Sequence, residues 1–193
     1  MNNLLNKIRI RINDIESFEF SNNELISYIN NGLSNVENIL AINHVKFNIS
    51  LLKTTSSLCA IPDDLIQIYK IIENGLEIPQ KDIISNKYGY YILNNNIILP
   101  CTNADIYYIK EFPRLQEDDT LKLPSIIIEY LYLYTVIKAL SRLEFNMDKE
   151  EKELLNTTNM MIKHMLHKYG NNTMERFNGY SLWKKHQKPQ EMQ

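Results

Sequence analysis

The 193 residues, 44% of them hydrophobic, can bury the core of one ordinary domain with room for an insertion, which excludes a wholly disordered chain. Lys and Arg total 21 against 23 for Asp and Glu, so a formal net charge of -2 gives no global attraction to nucleic acid or to an anionic membrane and sets aside a DNA-coating role. Lys7, Arg9 and Arg11 interrupt what would have to be the unbroken core of a secretory signal, and the most apolar stretch, residues 126–137, is broken by Glu129 and followed by Lys138. That falls short of the ~18 uncharged residues of a membrane span, so a soluble protein without a membrane partner is expected.

Leu4, Ile8, Ile12 and Ile15 share one stripe of a first helix, and Lys7, Arg9 and Arg11 lie on its other face. Ser21-Asn22-Asn23-Glu24 fits a capping box, with Phe20 and Leu25 in the two positions of a hydrophobic staple. A second helix follows, with Leu25, Ile29, Leu33, Val36 and Leu40 on its apolar stripe and Gly32 as a tolerated weak point; it should end near Ile42 or Asn43.

From His44 the period becomes two: Val45, Phe47, Ile49 and Leu51 alternate as a half-buried strand requires. Further strands are expected at 57–61, 65–72 and 76–78, with Asn74-Gly75 as a tight hairpin turn. A second hairpin spans 88–93 and 97–99 around Asn94-Asn95-Asn96, and 106–110 supplies one more strand. Residues 113–123 read as a solvated return loop.

Pro124 opens a third helix that is apolar around nearly its whole circumference, from Ile126 to Leu140, and so must be covered on all sides. A fourth helix runs from about Asp148 through Leu154, Leu155, Met161, Ile162, Met165 and Leu166 to a stop at Gly170. The expected architecture is therefore α+β: a helical body of about four helices from residues 1–43 and 124–170, an antiparallel β domain inserted at 44–123, and an extended C-terminal arm at 171–193. The helical surface and the aromatic-bearing arm together are expected to exceed what one folded copy can hide.

The arm places Phe177, Tyr180 and Trp183 at every third position beside Lys184 and Lys185. Its two acids and four bases give it about +2, leaving about -4 for the body. This aromatic-basic interleaving suits a docking peptide, or else nucleic-acid stacking.

Candidate chemistry is sparse. His164 and His167 have a spacing that some metal sites use, but no companion motif completes a ligand set, and surface histidines are the plainer expectation. His44 and His186 have no sequence partner that suggests a base or a ligand. Asp63-Asp64 and Glu117-Asp118-Asp119 read as turn acids rather than converging ligands. Tyr130, Tyr132 and Tyr134 read as core or interface packing, and Cys59 and Cys101 as reduced, semi-buried thiols. The five glycines are isolated, so no phosphate loop is present, and no nucleophile elbow occurs. No catalytic function, cofactor or metal is expected.

One resemblance rests on an ordered series of segments: Lys7-Ile8-Arg9-Ile10-Arg11-Ile12-Asn13-Asp14, Glu24-Leu25-Ile26-Ser27-Tyr28-Ile29-Asn30-Asn31-Gly32 and Ile61-Pro62-Asp63-Asp64. Tyr91-Ile92-Leu93-Asn94-Asn95-Asn96-Ile97-Ile98-Leu99, Ile106-Tyr107-Tyr108-Ile109-Lys110 and Leu123-Pro124 continue it, over about residues 4–168. In order and spacing the chain resembles the head-to-tail connector proteins of tailed bacteriophages, in particular the adaptors of short-tailed phages. The resemblance implies a structural subunit of a ring, twelvefold, in the virion neck and assembled in the host cytoplasm. Such a ring sits beneath the portal protein, extends the DNA channel and meets tail or nozzle proteins, while genomic DNA passes without being read. It also implies that a C-terminal extension docks onto the portal or an adjacent copy, through Phe177, Tyr180, Trp183, Lys184 and Lys185 as the candidate contacts. The main alternative is a small regulatory module that binds nucleic acid through the arm and the basic face of the first helix; an enzyme with an unrecognised site is a further one.

Overall fold

The structure, a computed structural model, describes residues 1–169; the arm expected at 171–193 and the helix stop at Gly170 lie outside them. The chain is α+β. Its elements run α1 (Asn2–Ile12), α2 (Asn22–Ile42), β1 (Ile49–Thr54), β2 (Leu58–Ala60), β3 (Leu65–Glu73), β4 (Leu76–Glu77), β5 (Tyr91–Leu93), β6 (Asn96–Ile98), β7 (Ala104–Lys110), α3 (Ser125–Arg142) and α4 (Asp148–Tyr169).

Leu4, Ile8 and Ile12 of α1 are buried as their spacing requires, but Ile15 lies beyond the helix and is 64% exposed. The helix stops because Asn13 turns left-handed (φ 59°, ψ 34°) and its N–H bonds back into the last turn. Arg9, expected on the polar face, is instead buried against Asp14, with 2.7 Å between guanidinium and carboxylate. Asp14 also accepts the backbone N–H groups of Glu19 (3.0 Å) and Phe20 (3.2 Å), and Arg9 donates to Asn22 Oδ1 at 2.7 Å. This corner joins α1 to α2. Beyond it, Ser21 and Glu24 form both hydrogen bonds of the capping box, and Phe20 and Leu25 are fully buried.

α3 is enclosed by α1, α2 and α4 of the same chain. Only Ser125, Glu129, Lys138, Ser141 and Arg142 of α3 are exposed. The expected cover on all sides of α3 is thus supplied by the two ends of the described chain, while Ile10 of α1 and Leu155 and Met160 of α4 stay exposed; the arm that completes the expected surplus of apolar surface lies outside the described residues. Gly32 has a specific role in this packing, since a Cβ there would lie 2.9 Å from the Tyr134 ring and 3.1 Å from Leu131 Cδ2. It permits the close approach of α2 to α3 rather than merely weakening the helix.

The β segment forms two antiparallel sheets, ordered β1-β7-β3-β4 and β2-β6-β5. They enclose a second hydrophobic cluster, with Ile71, Ile78, Tyr90, Ile97, Leu99 and Ile106 at its centre. Both hairpin turns fall where the sequence places them: Asn74 and Gly75 take φ 49° and 83°, and Asn94 and Asn95 take 48° and 59°, positive at both central positions as the tightest hairpin loops demand. The first strand departs from expectation. Val45 and Phe47 belong to the helical core, β1 starts only at Ile49, and Ile49 and Leu51 are 42% and 44% exposed. Asn48 causes the change, because its φ of 60° breaks the extended run while its amide bonds the Lys110 and Glu111 carbonyls. After that break the alternation resumes with opposite parity, and Leu52 turns inward.

At the entrances of the β segment, within the helical core, Phe47 packs on Phe112 (5.3 Å between centroids) and on Tyr169 (4.9 Å). Glu37 of α2 is buried there, accepting the Phe112 N–H at 2.6 Å with Arg114 at 3.6 Å. Asn30 pairs with both backbone groups of Leu115, fixing the return loop on α2.

Two outcomes are expected. Asp14→Asn leaves the buried Arg9 guanidinium without an anion and should cost about 3–5 kcal/mol, read as a lower denaturant midpoint at unchanged slope. Burial pushes the Glu37 carboxyl above the usual glutamate range despite the Phe112 hydrogen bond and Arg114. The folded state therefore holds that proton more tightly than the unfolded state, and the associated stability is lost as pH rises from the ordinary glutamate value through the raised one. Relative to Glu37→Gln, the native chain should lose stability in chemical denaturation as pH rises above about 4, the ordinary glutamate value, until the raised one is passed.

Candidate interaction surfaces

The residues singled out for chemistry are dispersed. His164 and His167 are both exposed, and no group of three or more metal-capable side chains occurs among the described residues. Asp64 accepts the Tyr108 hydroxyl at 3.1 Å, Glu117 accepts from Asn22, and Asp119 accepts the Gln116 N–H at 2.7 Å. Only the last builds a turn; the first two tie distant parts of the chain together. His44 is exposed and left-handed at the end of α2. Tyr130 is buried and stacks on Tyr134 at 6.1 Å, and burial, then Tyr134, pushes its hydroxyl up to about 12. Cys59 and Cys101 are free and partly exposed. No helix among the described residues is long and apolar enough to cross a membrane. Phe177, Tyr180, Trp183, Lys184 and Lys185 lie outside the described residues.

The basic face expected on the first helix is largely consumed within the fold. Arg9 is locked to Asp14, and Arg11 reaches Glu150 at the start of α4 at 2.5 Å. Desolvation pushes the Glu150 carboxyl up, but the Arg11 hydrogen bond and the Glu150 N–H outweigh it and hold the group below the usual glutamate range. Of that face only Lys7 remains outside an ion pair among the described residues.

Two surfaces were not legible in the sequence. The first is the outer face of the larger sheet. Leu51 and Lys70 both sit opposite Tyr107, and a bulge between Ile68 and Lys70 brings Tyr69 alongside. Lys46 stands 4.2 Å from the Tyr69 ring centroid and donates to its hydroxyl at 3.0 Å. Lys70 lies 5.5 Å from the Tyr69 ring and 4.9 Å from that of Tyr107. These distances are in the range of cation–π attraction, so the rings hold both ammonium groups in place.

The second surface is the corner between α1 and α2. Ile15 and Phe18 are 64% and 86% exposed there, between the exposed acids Glu16 and Glu19. The backbone beneath them is fixed by Asp14, whose carbonyl also accepts the Ser17 N–H at 3.1 Å. Periodicity cannot reveal either feature, because one depends on a bulge and cross-strand register and the other on a loop anchored by a buried ion pair.

No family model matches the chain, and no curated protein matches it.

Burial, then the neighbouring Glu73 carboxylate, pushes the Cys101 thiol up from its ordinary value. Because the thiolate is the reactive form, Glu73→Gln should speed alkylation of Cys101 at mildly alkaline pH, measured by mass spectrometry after iodoacetamide; an unchanged rate would show that burial alone governs this thiol.

Proposed function

We propose that this chain is a structural head-to-tail adaptor subunit of a tailed bacteriophage, copies of which form a ring between portal and tail and extend the DNA channel. The observation that carries this reading is where the segments of the resemblance fall. Residues 7–14 build the end of α1 and the Arg9–Asp14 corner, and residues 24–32 are the first half of α2 up to the Gly32 crossing. Residues 61–64 link β2 to β3, 91–99 contain the β5–β6 hairpin, 106–110 lie in β7, and 123–124 lead into α3. Each segment thus occupies a turn, a crossing or a central strand, where side-chain identity controls the path of the chain.

A helical body closed from both ends, with a β unit projecting from one connection, gives a subunit several chemically distinct sides. A cyclic ring needs this, since its interface joins unlike surfaces. The mild net negative charge suits a channel that lets DNA pass without gripping it. Engagement of Arg9 and Arg11 inside the fold removes most of the basic face on which the regulatory nucleic-acid reading drew, leaving it to rest on residues 171–193.

The test is assembly with the cognate portal protein, followed by mass photometry and negative-stain imaging. Alone, the chain should be monomeric or weakly associated; with portal it should form rings at one face of that complex. Failure to bind portal or to form rings at any concentration overturns the proposal. Removal of residues 171–193 should weaken portal affinity, and unchanged affinity would discard the docking arm while leaving the adaptor intact.

A further inference from the structure

We propose that the contact between neighbouring copies is made by the α1–α2 corner of one copy, residues 15–19, seated on the lysine–tyrosine face of the larger sheet of the next. This rests on the adaptor reading and specifies its interface.

The two surfaces are complementary in charge and in apolar content. The corner offers Glu16 and Glu19 around an exposed Phe18, and Glu117, held by Asn22 beside the N-terminus of α2, adds a further acid. The sheet offers Lys46 and Lys70 braced on Tyr69 and Tyr107, with Leu51 exposed next to them. Among the described residues, none of Glu16, Glu19, Lys46 and Lys70 takes part in an ion pair. Each side thus carries charge available to a partner and a hydrophobic anchor that water does not favour.

They cannot meet within one copy. The corner precedes α2 and the lysine–tyrosine face begins just past its end, because Val45 bonds back to Leu40 and Lys46 follows directly. The 21 residues of α2 hold the two apart by roughly 30 Å at 1.5 Å per residue. A contact between unlike surfaces at opposite ends of a rigid element is heterologous, the type that propagates around a ring.

Both surfaces are organised before they meet. Asp14 fixes the loop by accepting the backbone N–H groups of Ser17, Glu19 and Phe20, so Phe18 is presented with little ordering left to do; the lysines are likewise restrained by the rings beneath them. A second copy is favoured over nucleic acid as the occupant because phosphate would answer the lysines but leave Leu51 and Ile49 in water, whereas residues 15–19 answer both.

The experiment compares three full-length chains: native, Lys46→Glu with Lys70→Glu, and Glu16→Lys with Glu19→Lys. Sedimentation velocity is run over a concentration series, alone and with portal, after circular dichroism shows each chain folded. Each double variant should self-associate at least about tenfold more weakly than the native chain. Mixed in equal amounts they should recover association to within about threefold, since alternating copies restore a native contact on one side and a reversed ion pair on the other. Phe18→Ala, at a position 86% exposed, should weaken association about tenfold with an unchanged melting temperature. If native rings form and either double variant associates like the native chain, or the mixture does not recover, this contact is wrong and the adaptor reading stands. If the native chain forms no assembly even with portal, both fall. Binding of a short DNA duplex that is lost in the lysine variant while self-association is unchanged would assign the face to nucleic acid and overturn the proposal.

Discussion

α3 carries the constraint on which this molecule depends: a helix apolar around most of its circumference is stable in water only when other elements remove that surface from solvent. Three helices do so, α1 and α2 from before the β unit and α4 from after it. The core therefore cannot close until both halves of the chain have come together, and the β unit is confined between two anchored ends. The hydrophobic cluster around α3 includes residues from all four helices together with Val45 and Phe112 at the two entrances of the insertion.

Polar contacts then fix what burial leaves open. Hydrophobic packing alone does not prescribe the direction in which a chain leaves a helix. Here Arg9, Asp14 and Asn22 set the turn from α1 to α2, Arg11 and Glu150 bind α1 to the start of α4, and Asn30 and Glu37 hold the return path from β7 against α2. Each group lies where one element hands over to the next, and the buried ones have their partners in place, as a low-dielectric interior requires. The single buried side-chain polar atom without a partner among the described residues, Thr135 Oγ1 in α3, has no such connecting role.

Because one copy encloses α3, the apolar surface left exposed lies mainly on other elements. Large hydrophobic residues remain exposed on several elements, among them Ile10 of α1, Ile84 of the β segment and Leu155 of α4, and two patches are mixed: an aromatic among acids at one end of α2, and lysines braced on tyrosines near the other. Such patches are too polar to collapse indiscriminately and too apolar to favour water, and their charges select orientation.

The capping box at Ser21, the stripe of α2, the two hairpin turns and the start of α4 were all legible in the sequence, because each is decided within about four residues by hydrogen bonding or by tolerance of positive φ. The α+β class followed from the change of period along the chain. Only the tertiary structure decided the inward face of β1, since the left-handed Asn48 resets the alternation, and the fate of Arg9, since Asp14 waits beyond the end of its helix. The lysine–tyrosine face likewise needed the pairing of β1, β7 and β3 to bring together residues 46, 51, 69, 70 and 107. Local preferences are properties of short segments; which surfaces end up enclosed, paired or facing water depends on contacts between segments far apart in the chain.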